Sequence, residues 1–243
     1  MRLRGGFSPA SNSRSSNGPD APRRRAAVQV TTIPDSLAVV RVARVASAQG
    51  VASLPSFPLA DVGGAPEPFL TTTVRLASTR EALIVLFEAV ADPPLTIQRG
   101  DGECVYRDEC VELFLASPLE RTAYEEIVVN PRGACYAAHI ENPDESRETW
   151  KVSRRPAPAA ISIEVRGEPG SRPAADWARW SCRLAVPWAA LPPGRAPAEG
   201  EERRGNAYRI ARGRTTRYLA LSPTLRTSPP DFHVPSRFAR FVF

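Results

Sequence analysis

From Thr72 to the C-terminus the chain is a succession of short β-prone runs separated by turn residues. Thr72–Leu76 comes first. Ala82–Val90 follows and is nearly all apolar, as expected for a strand covered on both faces. Then come Glu109–Leu115, Tyr124–Val129, Ala134–Ile140, Thr149–Ser153 and Ala160–Arg166. Trp180, Cys182, Leu184 and Val186 alternate with polar residues, and so do Ile161, Ile163 and Val165, which is the period-two pattern of a half-buried strand. Ala207–Ala211, Arg217–Leu221 and Arg237–Phe243 complete the set, and Trp188–Leu191 after Pro187 reads as one helical turn. Asp92-Pro93-Pro94 and Gly100-Asp101-Gly102 punctuate the loops. Strands at roughly 8–12-residue spacing predict a sandwich or barrel. Proline, 25 of 243 residues, disfavours long helices, and no helix–strand alternation suggests a Rossmann-like sheet. The expectation is an all-β, antiparallel β-sandwich of jelly-roll or immunoglobulin-like type.

Two domains of very different character are predicted. Residues 1–26 are rich in Ser, Asn, Arg, Gly and Pro and read as a disordered basic tail. Residues 27–243 form the sandwich, with order beginning near Val28 and Leu37–Val45 as a first strand. Charge follows the same division. Six arginines against Asp20 give the first 25 residues +5 of the total +6, leaving about +1 elsewhere. The basic balance therefore belongs to the tail and does not support a nucleic-acid-binding face on the folded part. No apolar run is long enough to span a membrane as a helix. Met-Arg-Leu-Arg is followed by Gly-Gly-Phe-Ser-Pro-Ala-Ser-Asn where a secretory signal carries its apolar stretch, so no signal peptide is expected. Cys104, Cys110, Cys135 and Cys182 include no Cys-x-x-Cys pair and do not suggest zinc. A Cys104–Cys110 disulfide is compatible with the spacing but not fixed by it. No cofactor is expected.

A set of motifs in fixed order narrows the reading. Val74-Arg75-Leu76 and Leu83–Glu88 form an early strand pair. Tyr106 and Asp108 lead into Cys110-Val111-Glu112-Leu113-Phe114. Tyr124–Asn130 turns through Gly133. Trp180 opens a strand that runs into Val186-Pro187-Trp188. Asn206, Tyr208 and Arg209 form an Asn-x-Tyr-Arg strand. Ser222-Pro223 precedes Pro230-Asp231-Phe232-His233-Val234-Pro235 and Phe238. In this order, from about Thr72 to Phe243, the chain resembles the family 9 carbohydrate-binding modules, particularly a stand-alone bacterial branch. The resemblance implies a β-sandwich with a sugar-binding slot clamped by two aromatic rings. Ring faces take up the C–H surface of a pyranose, while polar side chains bond its hydroxyl rim. It assigns Tyr106 and Phe232 to the clamp and Glu112, with Arg209 or His233, to the rim. Both clamp positions are Trp in the best-known sugar binders, Val128 stands where some use Arg, and Leu221 stands where many relatives carry Trp. Some relatives hold structural calcium, but no Asp-x-Asp-x-Asp loop is present and no metal is expected.

Each of these residues also has a plain structural reading. Glu112 fits a surface carboxylate, Tyr106 a half-buried ring, and Phe232 a plug that pins the last strand. His233 fits a loop cap, Arg209 a partner for a core carboxylate, and Asn130 a turn former. Trp180 and Trp188 read as core, while Trp150 and Trp177 are candidates for exposed stacking. Asp108, Glu109, Glu112, Glu141, Asp144 and Glu145 supply carboxylates, but nothing marks a hydrolytic pair. His139 and His233 lie in no nucleophile-activating motif. The favoured function is non-catalytic binding of an oligo- or polysaccharide, with support of carbohydrate catabolism as its expected role. The alternatives are a sandwich that has lost its sugar and serves protein interaction, and a glycoside-processing enzyme. The sequence does not fix location, since such relatives are usually extracellular, nor oligomeric state.

Overall fold

The computed structural model describes residues 37–118, 120–155, 160–170 and 172–243. The tail reading of residues 1–26 and the onset of order near Val28 fall outside the described residues. The first strands are β1 (Val39–Arg41), β2 (Ala43–Arg44), β3 (Phe57–Pro58), β4 (Ala60–Asp61) and β5 (Thr72–Ser78). Next are β6 (Ala82–Val90), β7 (Cys110–Ala116), β8 (Ala123–Val129), β9 (Cys135–Glu141) and β10 (Lys151–Arg155). The last are β11 (Ser162–Glu168), β12 (Arg179–Pro187), β13 (Glu202–Arg212), β14 (Thr216–Ala220) and β15 (Ala239–Val242). The helical segments are short 3-10 turns, one of them at Trp188–Ala190 where a single turn is expected.

The strands form two sheets. The nine-stranded sheet runs β1-β15-β13-β7-β8-β9-β10, with β14 on β13 and β4 on β14. The six-stranded sheet runs β11-β12-β6-β5-β2, with β3 also on β5. Pairing is antiparallel except at two edges, where β1 joins β15 and β2 joins β5 in parallel. The run Leu37–Val45 is therefore two strands rather than one. β1 belongs to the larger sheet and β2 to the smaller, and between them Val42 donates its N–H to Val242 O at 2.8 Å. Val40 and Val42 are both buried between exposed neighbours, so alternation runs through the residue at which the partner changes and ends only at Ala43 and Arg44, both exposed.

Between the sheets lies the main core, with Leu83, Val85 and Phe87 of β6, Val111 and Leu113 of β7, and Cys182 and Leu184 of β12. Each such large apolar side chain contributes about 1.5–3 kcal/mol on burial. The outer face of β6 is covered at one end by the turn Ala48–Ser53, whose Val51 packs on Ala82 and Ile84. This is why β6 reads as apolar on both faces.

The other covered face decides the site. On the outer side of the nine-stranded sheet, Phe114, Tyr124, Tyr136 and Tyr208 lie under Phe232 and Phe238 of the C-terminal segment. Every residue of β7 and of β8 is buried in consequence. Glu112 and Glu126 belong to this same outer face, at positions that elsewhere in a sandwich would meet water.

Candidate functional site

The C-terminal segment leaves part of the outer face open as a cleft of about 590 Å3, within the range of small-molecule sites. Its walls are aromatic: Tyr106, Tyr136, Trp150, Tyr218 and Phe232. Glu112, Glu126 and His233 also line it, with Arg147 and Arg154.

The loop that carries Phe232 and His233 is held to the sheet through its backbone and through the imidazole. Tyr208 donates its hydroxyl to Phe232 O at 2.9 Å, and Asn142 Nδ2 donates to His233 O at 2.9 Å. The Asp231 carboxylate accepts from His233 N at 3.1 Å, a local turn bond of the Asx kind. His233 Nδ1 lies 2.8 Å from the Tyr124 hydroxyl. Burial pushes the His233 imidazole down to about 3, so it is neutral near pH 7. Phe232 stacks on Tyr208 with centroids 4.2 Å apart and is only 5% exposed.

Tyr106 sits in the 3-10 turn Val105–Arg107, which Val105 anchors in the buried layer. The turn is fixed by Asp108, a fully buried carboxylate that accepts from Gln98 N, Arg99 N, Arg99 Nη1 and Asn130 Nδ2. Burial raises its pKa, but these bonds outweigh it and hold the carboxyl below its ordinary value. Asn130 in turn accepts from Arg132 N and Ala134 N, the turn-forming role expected of it. Tyr106 stays half-buried, edge-on to Tyr136 at 5.4 Å.

Of the five residues assigned from the sequence, Tyr106, Glu112, Phe232 and His233 line one cleft. Arg209 does not, and its assignment to the sugar rim is corrected here. The pleat sends it between the sheets, where it is 0% exposed. Its Nε and Nη2 lie 2.8 and 2.7 Å from Glu109 Oε1, and its Nη1 donates to Thr72 Oγ1 and Val90 O. The core-carboxylate reading is the one the geometry supports. Trp177 is also remote from the cleft, against β11, where its ring occupies the space beside Gly167. Trp150 is at the cleft, edge-on to His233 at 4.7 Å and under the Arg147 guanidinium at 5.1 Å.

Sequence reasoning did not single out Glu126, Tyr136, Arg147, Arg154 or Tyr218. A signal existed for Glu126, a carboxylate that shares its strand face with Tyr124 and Val128. Arg147 comes from a loop with no such pattern. Its guanidinium donates to Asp231 at 2.7 and 3.3 Å. Burial pushes Glu112 up to about 8. Burial and then the neighbouring Glu112 push Glu126 well above the ordinary carboxyl range. A second hollow of about 440 Å3 lies against the six-stranded sheet, with Thr73, Glu88, Arg166 and Arg179 in its lining. Its one ring, Trp180, is 3% exposed and bonded to Glu109, so it has little face to offer a ligand.

Over residues 65–243 the chain matches the family described as Carbohydrate-binding family 9. The chain belongs to this family. The match takes in both segments that build the cleft and most of both sheets. Among solved structures, the fold resembles a candidate carbohydrate-binding protein from Bacteroides uniformis ATCC 8492. The TM-score is 0.66 at 19% identity, covering 86% of this chain and 100% of that one. It also resembles a family 9 carbohydrate-binding module from Caldicellulosiruptor kristjanssonii in complex with glucose, with TM-score 0.54 and 12% identity over 84% of this chain and 94% of that one. A family 9 module from the same organism in complex with cellotriose gives TM-score 0.54 and 13% identity, over 85% of this chain and 92% of that one. At these identities the likeness establishes the fold, a family 9 β-sandwich. No curated protein sequence matches the chain.

Proposed function

We propose that this family 9 chain binds carbohydrate non-covalently in the cleft on the outer face of its larger sheet. The observation that carries the reading is an open hollow walled by five aromatic rings with buried polar groups at its floor. Tyr106, Trp150 and Tyr218 are half-buried and offer ring surface for the C–H face of a pyranose. Glu112 and Glu126 offer hydrogen bonds to its hydroxyl rim. Phe232 contributes as a wall rather than as a free clamp, because one of its faces is already stacked on Tyr208. Similar modules in complex with glucose and cellotriose add support. The role would be to hold a glycan, or to keep a partner enzyme beside one.

The protein-interaction alternative predicts rings withdrawn into the core. Phe232 meets that description, while Tyr106, Trp150 and Tyr218 do not. Against hydrolysis stands the state of the carboxyl pair. Both carboxyls are shifted toward the neutral form, whereas a hydrolytic pair keeps one ionised as nucleophile or base.

Calorimetric titration with glucose and cellotriose tests the proposal, with wild type and Tyr106→Ala compared. Loss of one stacked ring, worth about 0.5–1.5 kcal/mol, should weaken binding roughly two- to tenfold. Equal affinity in the two proteins would reject this cleft, and no heat with wild type would reject carbohydrate binding for these sugars.

A further inference from the structure

Two carboxyls in the cleft lack a counter-charge of their own. Glu126 is 4% exposed, lines the cleft and accepts no hydrogen bond among the described residues. Glu112 is 1% exposed, and its one protein partner is the Cys110 thiol at 3.7 Å, a weak donor. In the β7–β8 ladder Glu112 faces Val128 and Phe114 faces Glu126. The two glutamates are therefore diagonal neighbours on one sheet face, about 7–8 Å apart at the backbone, and one ligand group can reach both.

The cations nearby are already engaged. Arg147 is bonded to Asp231 and lies over Trp150. Arg154 sits at the mouth, over Tyr136 at 5.9 Å and donating to Cys104 Sγ at 3.6 Å. Burial keeps Glu112 and Glu126 protonated in the free cleft near neutral pH, so neither has a cation or a strong protein donor to pair with. The other titratable groups packed here are Cys110, Tyr106, Tyr124, Tyr136, Tyr208, Tyr218 and His233, none of which supplies a cation near neutral pH.

Resting on the carbohydrate-binding reading above, we infer that the cleft is built for an amino sugar, a pyranoside whose free amine enters as ammonium between Glu112 and Glu126. An ammonium brings three N–H donors and a positive charge against which the two carboxyls can give up their protons, so both are paired at once. A hydroxyl brings one donor and no charge. The surrounding rings of Tyr106, Tyr136, Trp150 and Tyr218 also favour a cation over their faces.

The experiment compares cellotriose, the β-1,4-linked glucosamine trisaccharide and its N-acetylated form by calorimetry on the full chain. At pH 6 the sugar amine is charged. The free-amine trisaccharide should bind at least about tenfold tighter than cellotriose, a difference of 1.4 kcal/mol, and N-acetylation should remove the gain. Repetition in buffers of different ionisation enthalpy should show proton release as the carboxyls ionise. In Glu126→Gln the ratio of the two affinities should fall toward one. Equal or tighter binding of cellotriose by wild type overturns the amine assignment and leaves sugar binding standing. No binding of any of the three overturns both. The wild-type comparison decides even if the variant fails to fold.

Discussion

Replacing Arg209 with methionine separates a structural from a sugar-contacting role. The guanidinium connects Glu109 of the larger sheet's margin to Thr72 and Val90 of the smaller sheet, with donor–acceptor distances of 2.7–2.9 Å. Methionine fills much of the volume but leaves the fully buried Glu109 with Trp180 Nε1 and Arg212 N as its remaining partners. Removing one member of a buried pair costs about 3–5 kcal/mol, most of it from the stranded charge. For a domain of this size each kcal/mol lowers Tm by about 2–4 °C, so a fall of roughly 6–20 °C is expected. The assay is thermal unfolding followed by circular dichroism. Adding Glu109→Leu to Arg209→Met should recover at least half of the loss, because no charge is then left in the core. A Tm within about 2 °C of wild type, or a double variant no more stable than the single one, would refute the reasoning. A role at the sugar rim predicts the reverse pattern, with melting unchanged and affinity weakened.

Glu112 gives a pH signature in the free protein. In the fold it keeps its proton up to about 8, against an ordinary value of 4.5. Between those values the native state binds more protons than the unfolded chain, so stability falls as pH rises through the window. Glu126 is shifted in the same direction. Glu112→Gln should flatten the decline in Tm from pH 4.5 to 8 by the equivalent of a few kcal/mol, and an unchanged slope would show that Glu112 ionises freely. Gly205→Ala tests the packing where β13 passes β7. A Cβ there would lie 2.6 Å from Phe114 O and 2.7 Å from the Phe241 ring. Overpacking of about 1–3 kcal/mol should lower Tm by roughly 2–12 °C, and undiminished melting would show that the strands have room to part.

Strand positions were legible because alternation and turn residues are local signals. Ala82–Val90 matches β6 residue for residue, and most other strands agree within a few residues at their ends. The order of motifs from Val74 to Phe238 also carried the family. The mixed pairing was not legible. Val39–Ala43 alternates exposed and buried although Val39–Arg41 joins one sheet and Ala43–Arg44 the other, since period two records which face is buried and not which strand lies alongside.

The same limit governs the cleft. The sequence by itself determined that the chain is a β-sandwich of a carbohydrate-binding family, and that Tyr106, Glu112, Phe232 and His233 were worth watching. Only the tertiary structure decided that Arg209 turns inward to Glu109, and that Glu126, Arg147 and Trp150 join the site. A strand's own residues fix the parity of its side chains. Whether one parity meets the core, the solvent or a covered outer face depends on the C-terminal segment, folded back across the sheet from more than a hundred residues away.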